Sequence, residues 1–217
     1  MIGLGAALVL SYLLGSFPTS IVVGKVFFRR DIRAEGSGNA GGTNTFRVFG
    51  WKAGILVVLV DVGKGAAAAL LASRLAADVP LPADALKLAA GTAATIGHVW
   101  TVFAGFRGGK GVATAAGTLA AVAPLPFLAA LAAFALGILS TGIVSVGSLS
   151  AAVVFPLAAL ALRLAGYPVS DILLGFSLIL GPLIFWTHRQ NIRRLLRGEE
   201  NRFEKLRLLA KLFHKRK

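Results

Sequence analysis

The chain has 217 residues, no cysteine, 56% hydrophobic and 15% charged residues, and a net charge of +14, with a mean hydropathy of +0.78. A soluble domain carries about 25% charge, so an ordinary soluble fold is excluded, and the missing thiols exclude a disulfide framework, a thiolate-held metal and a cysteine nucleophile. Disorder is excluded by the same hydrophobicity and a coiled coil by 26 scattered glycines, which leaves a small all-α integral membrane protein.

Apolar runs fall at 2–28, 53–73, 85–103, 112–123, 125–140, 147–165 and 171–187, and a bilayer span needs roughly 20 residues, or fewer where a short helix packs inside protein. The first run lacks the basic start and short core of a cleaved signal peptide and is expected to remain as a span. Gly15-Ser16-Phe17-Pro18 interrupts it, and because proline has no backbone donor a kink or unwound turn is expected there. In the second run Asp61 and Lys64 lie three residues apart on one helix face, where they can pair. Ions at that depth serve function or hold helices together, and with Gly63 and Gly65 beside them a packing role that supports the site is expected. The third run ends with His98 two residues before Trp100, the pattern of a hydrogen-bonded interfacial anchor and also of a candidate catalytic imidazole. The fourth and fifth runs meet at Pro124-Leu125-Pro126.

The charge is clustered between these runs. Residues 25–52 carry six Lys/Arg against Asp31 and Glu35, residues 107–110 carry Arg107 and Lys110, and residues 189–217 carry eleven against Glu199, Glu200 and Glu204. The positive-inside rule places all three segments on the cytoplasmic face, which accounts for the excess without a nucleic-acid partner. If 112–140 were one span, the basic C-terminal tail would lie opposite the other two segments. Two short crossings or a re-entrant pair restore it, so the fold class is all-α with about seven transmembrane helical segments, some short or broken, N-terminus outside and C-terminus inside. Residues 1–188 form a polytopic catalytic domain. Residues 189–217, with Ile192, Leu195, Leu196, Phe203, Leu206, Leu209, Leu212 and Phe213 among basic residues, are expected to form an amphipathic basic helix lying on the anionic inner leaflet.

Three loops carry chemistry. The segment from Asp31 to Arg47 holds Gly36, Ser37, Gly38, Asn39, Gly41, Gly42, Thr43, Asn44 and Thr45. Such residues allow positive φ and let consecutive N–H groups line an anion nest, and Arg33 and Arg47 at its ends can fork onto phosphate oxygens; the same composition would also make a flexible polar connector. The second loop, Arg107-Gly108-Gly109-Lys110-Gly111, opens into an apolar helix whose N-terminus would favour phosphate. Read alone it is equally a tight turn between helices. It is no Walker A loop, because Ala104 stands where its first glycine belongs and Gly111 where its magnesium-binding hydroxyl belongs. The third segment begins with His188 and carries Asn191 and Glu200, which sidedness does not explain.

Together these motifs resemble the bacterial acyl-phosphate:glycerol-3-phosphate acyltransferases of the PlsY type, from Tyr12 to Glu200. The resemblance rests on Gly15-Ser16-Phe17-Pro18, Asp31-Ile32-Arg33, Gly36-Ser37-Gly38-Asn39 through Thr43-Asn44 to Arg47, Asp61 to Gly65, His98 with Gly108 to Thr114, and His188-Arg189-x-Asn191-Ile192 with Gly198-x-Glu200. Gly42, Thr101 and Arg107 depart from the usual alanine, proline and lysine. The resemblance implies acyl transfer from acyl phosphate to the 1-hydroxyl of sn-glycerol 3-phosphate, giving lysophosphatidic acid and phosphate, with both substrates and membrane lipids as partners and neither cofactor nor metal. It points to Ser37, Arg47, His98 and His188 as catalytic candidates and to Gly36, Gly38, Asn39, Thr43, Asn44, Gly108, Gly109, Lys110, Gly111, Asn191 and Glu200 as substrate-binding ones. Ser37, Asn39, Thr43 and Asn44 would meet the acyl phosphate; Arg47, Lys110 and Asn191 with the 108–111 loop would meet glycerol 3-phosphate. The hydroxyl proton could pass to either histidine or to the substrate's own phosphate. The last is expected, because Phe103 and Arg193 stand where a His-x-x-x-x-Asp dyad would have its carboxylate. A transporter or channel for an anionic phosphorylated solute is the alternative of a different class, since broken helices aimed at an anion suit it too.

Overall fold

The computed structural model describes residues 2–75 and 79–208, and the chain divides into two compact units, Met1–Ala123 and Pro124–Lys217. In the first unit, helix α1 (Ile2–Ser16) stops at the expected break and α2 (Thr19–Phe28) follows it. A 3-10 turn at Ile32–Ala34 leads through the glycine-rich loop into α3 (Gly42–Phe49), and then α4 (Trp51–Leu75) and α5 (Ala83–Val99) follow. A second 3-10 turn at Val102–Ala104 precedes the other glycine-rich loop, which runs into α6 (Val112–Val122). The second unit holds α7 (Pro124–Thr141), α8 (Val144–Leu164), α9 (Asp171–Thr187) and α10 (Arg189–Leu196).

Each of the seven apolar runs has its helix or helices. Among the described residues four are long and apolar enough to cross a membrane: Gly3–Phe28 (through the Pro18 break), Trp51–Ala72, Pro124–Thr141 and Val144–Leu164. The pair α9 and α10, bent by 60° at its break, would make a fifth. The stretch 112–140 is two helices. Ala123 adopts φ −140° between them, as the ring of Pro124 disfavours helical geometry in the residue before it. With 11 residues α6 is about 16 Å long, roughly half of the hydrocarbon thickness. It is held by protein rather than by length: a methyl built on Gly65 of α4 would stand 1.9 Å from the Thr114 carbonyl oxygen, and one on Gly117 of α6 would stand 1.9 Å from that of Val62. Small residues permit this backbone contact, which carries helix association where lipid supplies no hydrophobic drive. Gly63 faces open space, so of the two glycines beside the Asp61–Lys64 pair only Gly65 packs.

The tail differs from the expected single amphipathic helix. Helix α10 ends at Leu196, Gly198 turns the chain at φ +72°, and among the described residues a 3-10 turn at Glu204–Leu206 is the one helical element that follows. The turn is closed by N–H bonds from Gly198 to the Leu195 carbonyl and from Glu199 to that of Arg194, and Phe203 N–H reaches the Gly142 carbonyl at 2.7 Å. Leu209, Leu212 and Phe213 lie outside the described residues.

Candidate active site

The loop at 31–41 is built around Asn44. This side chain is 1% exposed; its Oδ1 accepts from Ser37 N–H at 2.9 Å, and its Nδ2 donates to the carbonyls of Ile32 (3.1 Å) and Glu35 (2.9 Å). Gly36, at φ +58°, lies so near that a Cβ there would meet Asn44 Oδ1 at 2.4 Å. Ile32, wholly buried against Ile21 and Ala40, pins the other end. Asn44 stands in the first turn of α3 with its amide engaged by the loop, which it shapes, and Ser37 N–H is held by that amide. Arg33 is likewise engaged: it forks onto Asp31 (Nε to Oδ1 3.1 Å, Nη2 to Oδ2 2.8 Å) and donates from Nη1 to the Ala104 carbonyl at 2.9 Å. The Arg33 hydrogen bonds hold the Asp31 carboxyl down at about 2, against the smaller opposing effect of burial. Ser37 itself is exposed, Asn39 and Thr43 are half-buried, and Arg47 sits on α3 among its partners.

The bond from Arg33 to the Ala104 carbonyl joins this loop to the stretch before the second one. There Gly108 and Gly109 donate their N–H groups to the carbonyls of Val99 and His98, both at 3.0 Å. These bonds engage the two amides expected to cradle phosphate and strap the loop to the end of α5. What remains for an anion is the first turn of α6, whose N–H groups precede its first internal bond, from Ala115 N–H to the Gly111 carbonyl, with Lys110 beside it. Gly111, at φ +81°, makes the entry.

At the C-terminal end of the third run lies a buried polar cluster. Asp61 Oδ1 accepts from Thr19 Oγ1 (2.9 Å) and pairs with Lys64 Nζ (2.9 Å), and Lys64 Nζ also donates to the Phe17 carbonyl (3.0 Å). His98 Nδ1 lies 3.6 Å from the same Asp61 oxygen. Phe103 stands where a carboxylate partner of His98 would be expected along the chain, and folding supplies one from another helix.

The second unit has its own polar cluster, centred on Glu200. Its Oε1 accepts from Asn191 Nδ2 (2.6 Å) and Ser145 Oγ (3.0 Å), and its Oε2 accepts from Arg194 Nε (2.6 Å). Burial pushes the Glu200 carboxyl up, but the bonds from Arg194, Asn191 and Ser145 outweigh it and hold the group below the usual glutamate value. The Glu200 carboxylate is the pin that orients Asn191. His188 is 2% exposed at the bend between α9 and α10, with Nδ1 2.8 Å from the Ile184 carbonyl, which fixes that nitrogen as the donor. Ser145, in the first turn of α8, was not singled out in the sequence. The turn at Thr141-Gly142 followed by a serine where an apolar run begins was its only signal.

The model of the family described as glycerol-3-phosphate acyltransferase matches residues 5–198. The glycerol-3-phosphate acyltransferase of Chlorobaculum tepidum is 46% identical over 221 residues, covering 91% of this chain and 95% of that protein; the one from Chlorobaculum parvum is 47% identical with the same coverage. Two crystal structures of PlsY (YgiH), an integral membrane glycerol 3-phosphate acyltransferase, align over 95% of this chain and 98% of theirs. The glycerol 3-phosphate form has a TM-score of 0.81 at 38% identity, and the lysophosphatidic acid form 0.79 at 37%. A match of this length and identity removes the transporter alternative, and with the helices and loops described above it shows that this chain is a multi-pass membrane protein belonging to the glycerol-3-phosphate acyltransferase family.

Proposed function

We propose that this enzyme takes its acyl group from acyl phosphate and transfers it to the 1-hydroxyl of sn-glycerol 3-phosphate, at the cytoplasmic face of the bacterial inner membrane. The observation that carries this reading is the pair of glycine-rich loops in the first unit, each running into a helix N-terminus and joined through Arg33 and Ala104. Both substrates bear phosphate and one also bears a lipid tail, which suits two anion-binding turns at the end of apolar helices. The acyl-phosphate donor fits the absence of a cysteine nucleophile, because a mixed anhydride carries a good leaving group and needs no acyl-enzyme.

In this scheme the 1-hydroxyl oxygen of glycerol 3-phosphate attacks the acyl carbonyl carbon. A C–O ester bond forms, the C–O bond to phosphate breaks, and the hydroxyl proton passes to a phosphate oxygen of the substrates. Ser37, Asn39 and Thr43 hold the acyl phosphate and meet the charge that develops on the leaving phosphate and on the oxygen of the tetrahedral intermediate, with Gly36, Gly38 and Asn44 setting their loop. Arg47 and Lys110, with the turn at Gly111, hold glycerol 3-phosphate. In the second unit Glu200 fixes the Asn191 side chain.

The test is purified protein in lipid with palmitoyl phosphate and labelled glycerol 3-phosphate, run beside acyl-CoA and acyl carrier protein donors. Lysophosphatidic acid should form with acyl phosphate alone; equal or faster turnover with acyl-CoA refutes the donor assignment.

A further inference from the structure

The first span is broken at Phe17-Pro18, and the two ends of the break meet opposite charges. Lys64 donates to the Phe17 carbonyl at the C-terminal end of α1, while Asp61 accepts from Thr19 in the first turn of α2. Each sign matches the local helix dipole. The pair is almost wholly buried, with side-chain exposures of 4% and 2%. A buried ion pair is at best a modest source of stability compared with apolar packing, so its presence inside a span calls for a role.

That role is visible one residue further out. His98, 8% exposed, presents its Nδ1 edge to Asp61 and its Nε2 edge to the glycine-rich loop: a methyl group built on Gly109 would stand 2.1 Å from Nε2, 2.9 Å from Cε1 and 3.0 Å from Cδ2. The imidazole therefore lies behind the loop backbone, wedged between a carboxylate and Gly109. A proton acceptor must reach the substrate hydroxyl, and Gly109 stands over the nitrogen that would do so. The carboxylate favours the tautomer with the proton on Nδ1, as carboxylates do for metal-bound histidines.

We infer that Asp61 and Lys64 are positioning residues for glycerol 3-phosphate binding: their buried pair fixes the His98 imidazole as the floor under Gly109, and that floor sets the placement of Lys110 and of the N-terminus of α6. His98 is on this account a positioning residue and not the base. The inference rests on the proposed assignment of this loop to glycerol 3-phosphate.

The experiment is a double-mutant cycle between His98→Ala and Gly109→Ala, read by calorimetric affinity for glycerol 3-phosphate and by KM and kcat for both substrates. Each single change should weaken glycerol 3-phosphate about tenfold, one by removing the floor and the other by pushing it aside, with KM for acyl phosphate unmoved. The double variant should be no worse than either single, because the added methyl occupies the space the ring has left; that coupling of about tenfold equals about 1.4 kcal/mol. His98→Gln, which keeps a polar group behind the loop, should recover most of the affinity lost in His98→Ala. Asp61→Asn should raise the same KM, with the loss falling on KM rather than kcat. If Asp61→Asn fails to insert, Thr19→Val, which removes a bond to the same Asp61 oxygen and keeps the ion pair, should raise the same KM, and an unmoved KM there would overturn the role of the pair.

Two results overturn the inference: additive losses of about a hundredfold in the double variant, or a fall in kcat of about a hundredfold or more in His98→Gln with one limb of the pH profile abolished, the mark of a lost general base. Calorimetry needs no acyl donor. Wild-type protein that binds glycerol 3-phosphate without using acyl phosphate would therefore refute the donor assignment while leaving this test intact. Wild-type affinity unaltered by Lys110→Ala would instead refute the assignment of the loop to this substrate.

Discussion

Asn44→Ala separates a residue that shapes the site from one that touches substrate. The amide makes three hydrogen bonds to backbone groups of residues 32–37. Removing it leaves one N–H and two carbonyls without their partner, at about 1–3 kcal/mol for each group that water cannot reach. Ser37 is exposed and Ile32 buried, so water can replace some of these bonds and a total of about 2–4 kcal/mol is expected for opening the loop. That corresponds to about 30- to 1,000-fold faster hydrogen exchange at the Ser37 amide. The assay is hydrogen exchange on substrate-free protein in detergent, followed at peptides covering residues 30–45, with turnover measured on the same sample. Both protection and turnover should fall, and Asn44→Asp, of the same shape but lacking the two donors, should fall at least as far. If turnover is lost while protection at Ser37 is unchanged, Asn44 binds substrate and the reasoning is wrong.

Ser37→Ala and Arg47→Ala should each lower kcat by about 100- to 1,000-fold in protein that still inserts, since each removes a donor meeting charge in the transition state; near wild-type rates in both would make the loop a connector. The Asp31 carboxyl, held at about 2 in the folded protein against 3.8 unperturbed, contributes stability that is complete above the unfolded value and is lost as pH falls toward the folded one. The melting temperature of wild type should therefore exceed that of Asp31→Asn at neutral pH, with the gap closing between 3.8 and about 2; a gap that closes near neutral pH would mean another group controls it. For topology, single cysteines at the exposed positions Ala34 and Gln190 should be labelled only from the cytoplasm, and at Leu81 and Tyr167 only from outside. External labelling of Gln190 would overturn the parity argument for 112–140.

Much of this protein was determined by local chemistry that a sequence exposes. Hydropathy located all seven apolar segments, since a lipid-facing helix must be apolar along its length. Proline placed the break after Ser16 and the division between α6 and α7, because it removes a donor and restricts the residue before it. The spacing of Asp61 and Lys64 was enough to pair them, and the glycine-rich loops were legible as turns into helices. What the sequence could not decide was which partner each polar side chain takes across the fold. Asn44 and Arg33 read as phosphate ligands because their side chains suit anions, yet the same donors suit backbone carbonyls and Asp31, and proximity within the folded loop chose those. Gly108 and Gly109 read as anion-binding amides until the end of α5 offered its carbonyls. Glu200 meets Ser145 across 55 residues, and His98 meets Asp61 across the gap between α5 and α4. Such contacts are set by helix packing and by the turn at Gly198, and a spacing rule along one chain has no access to them.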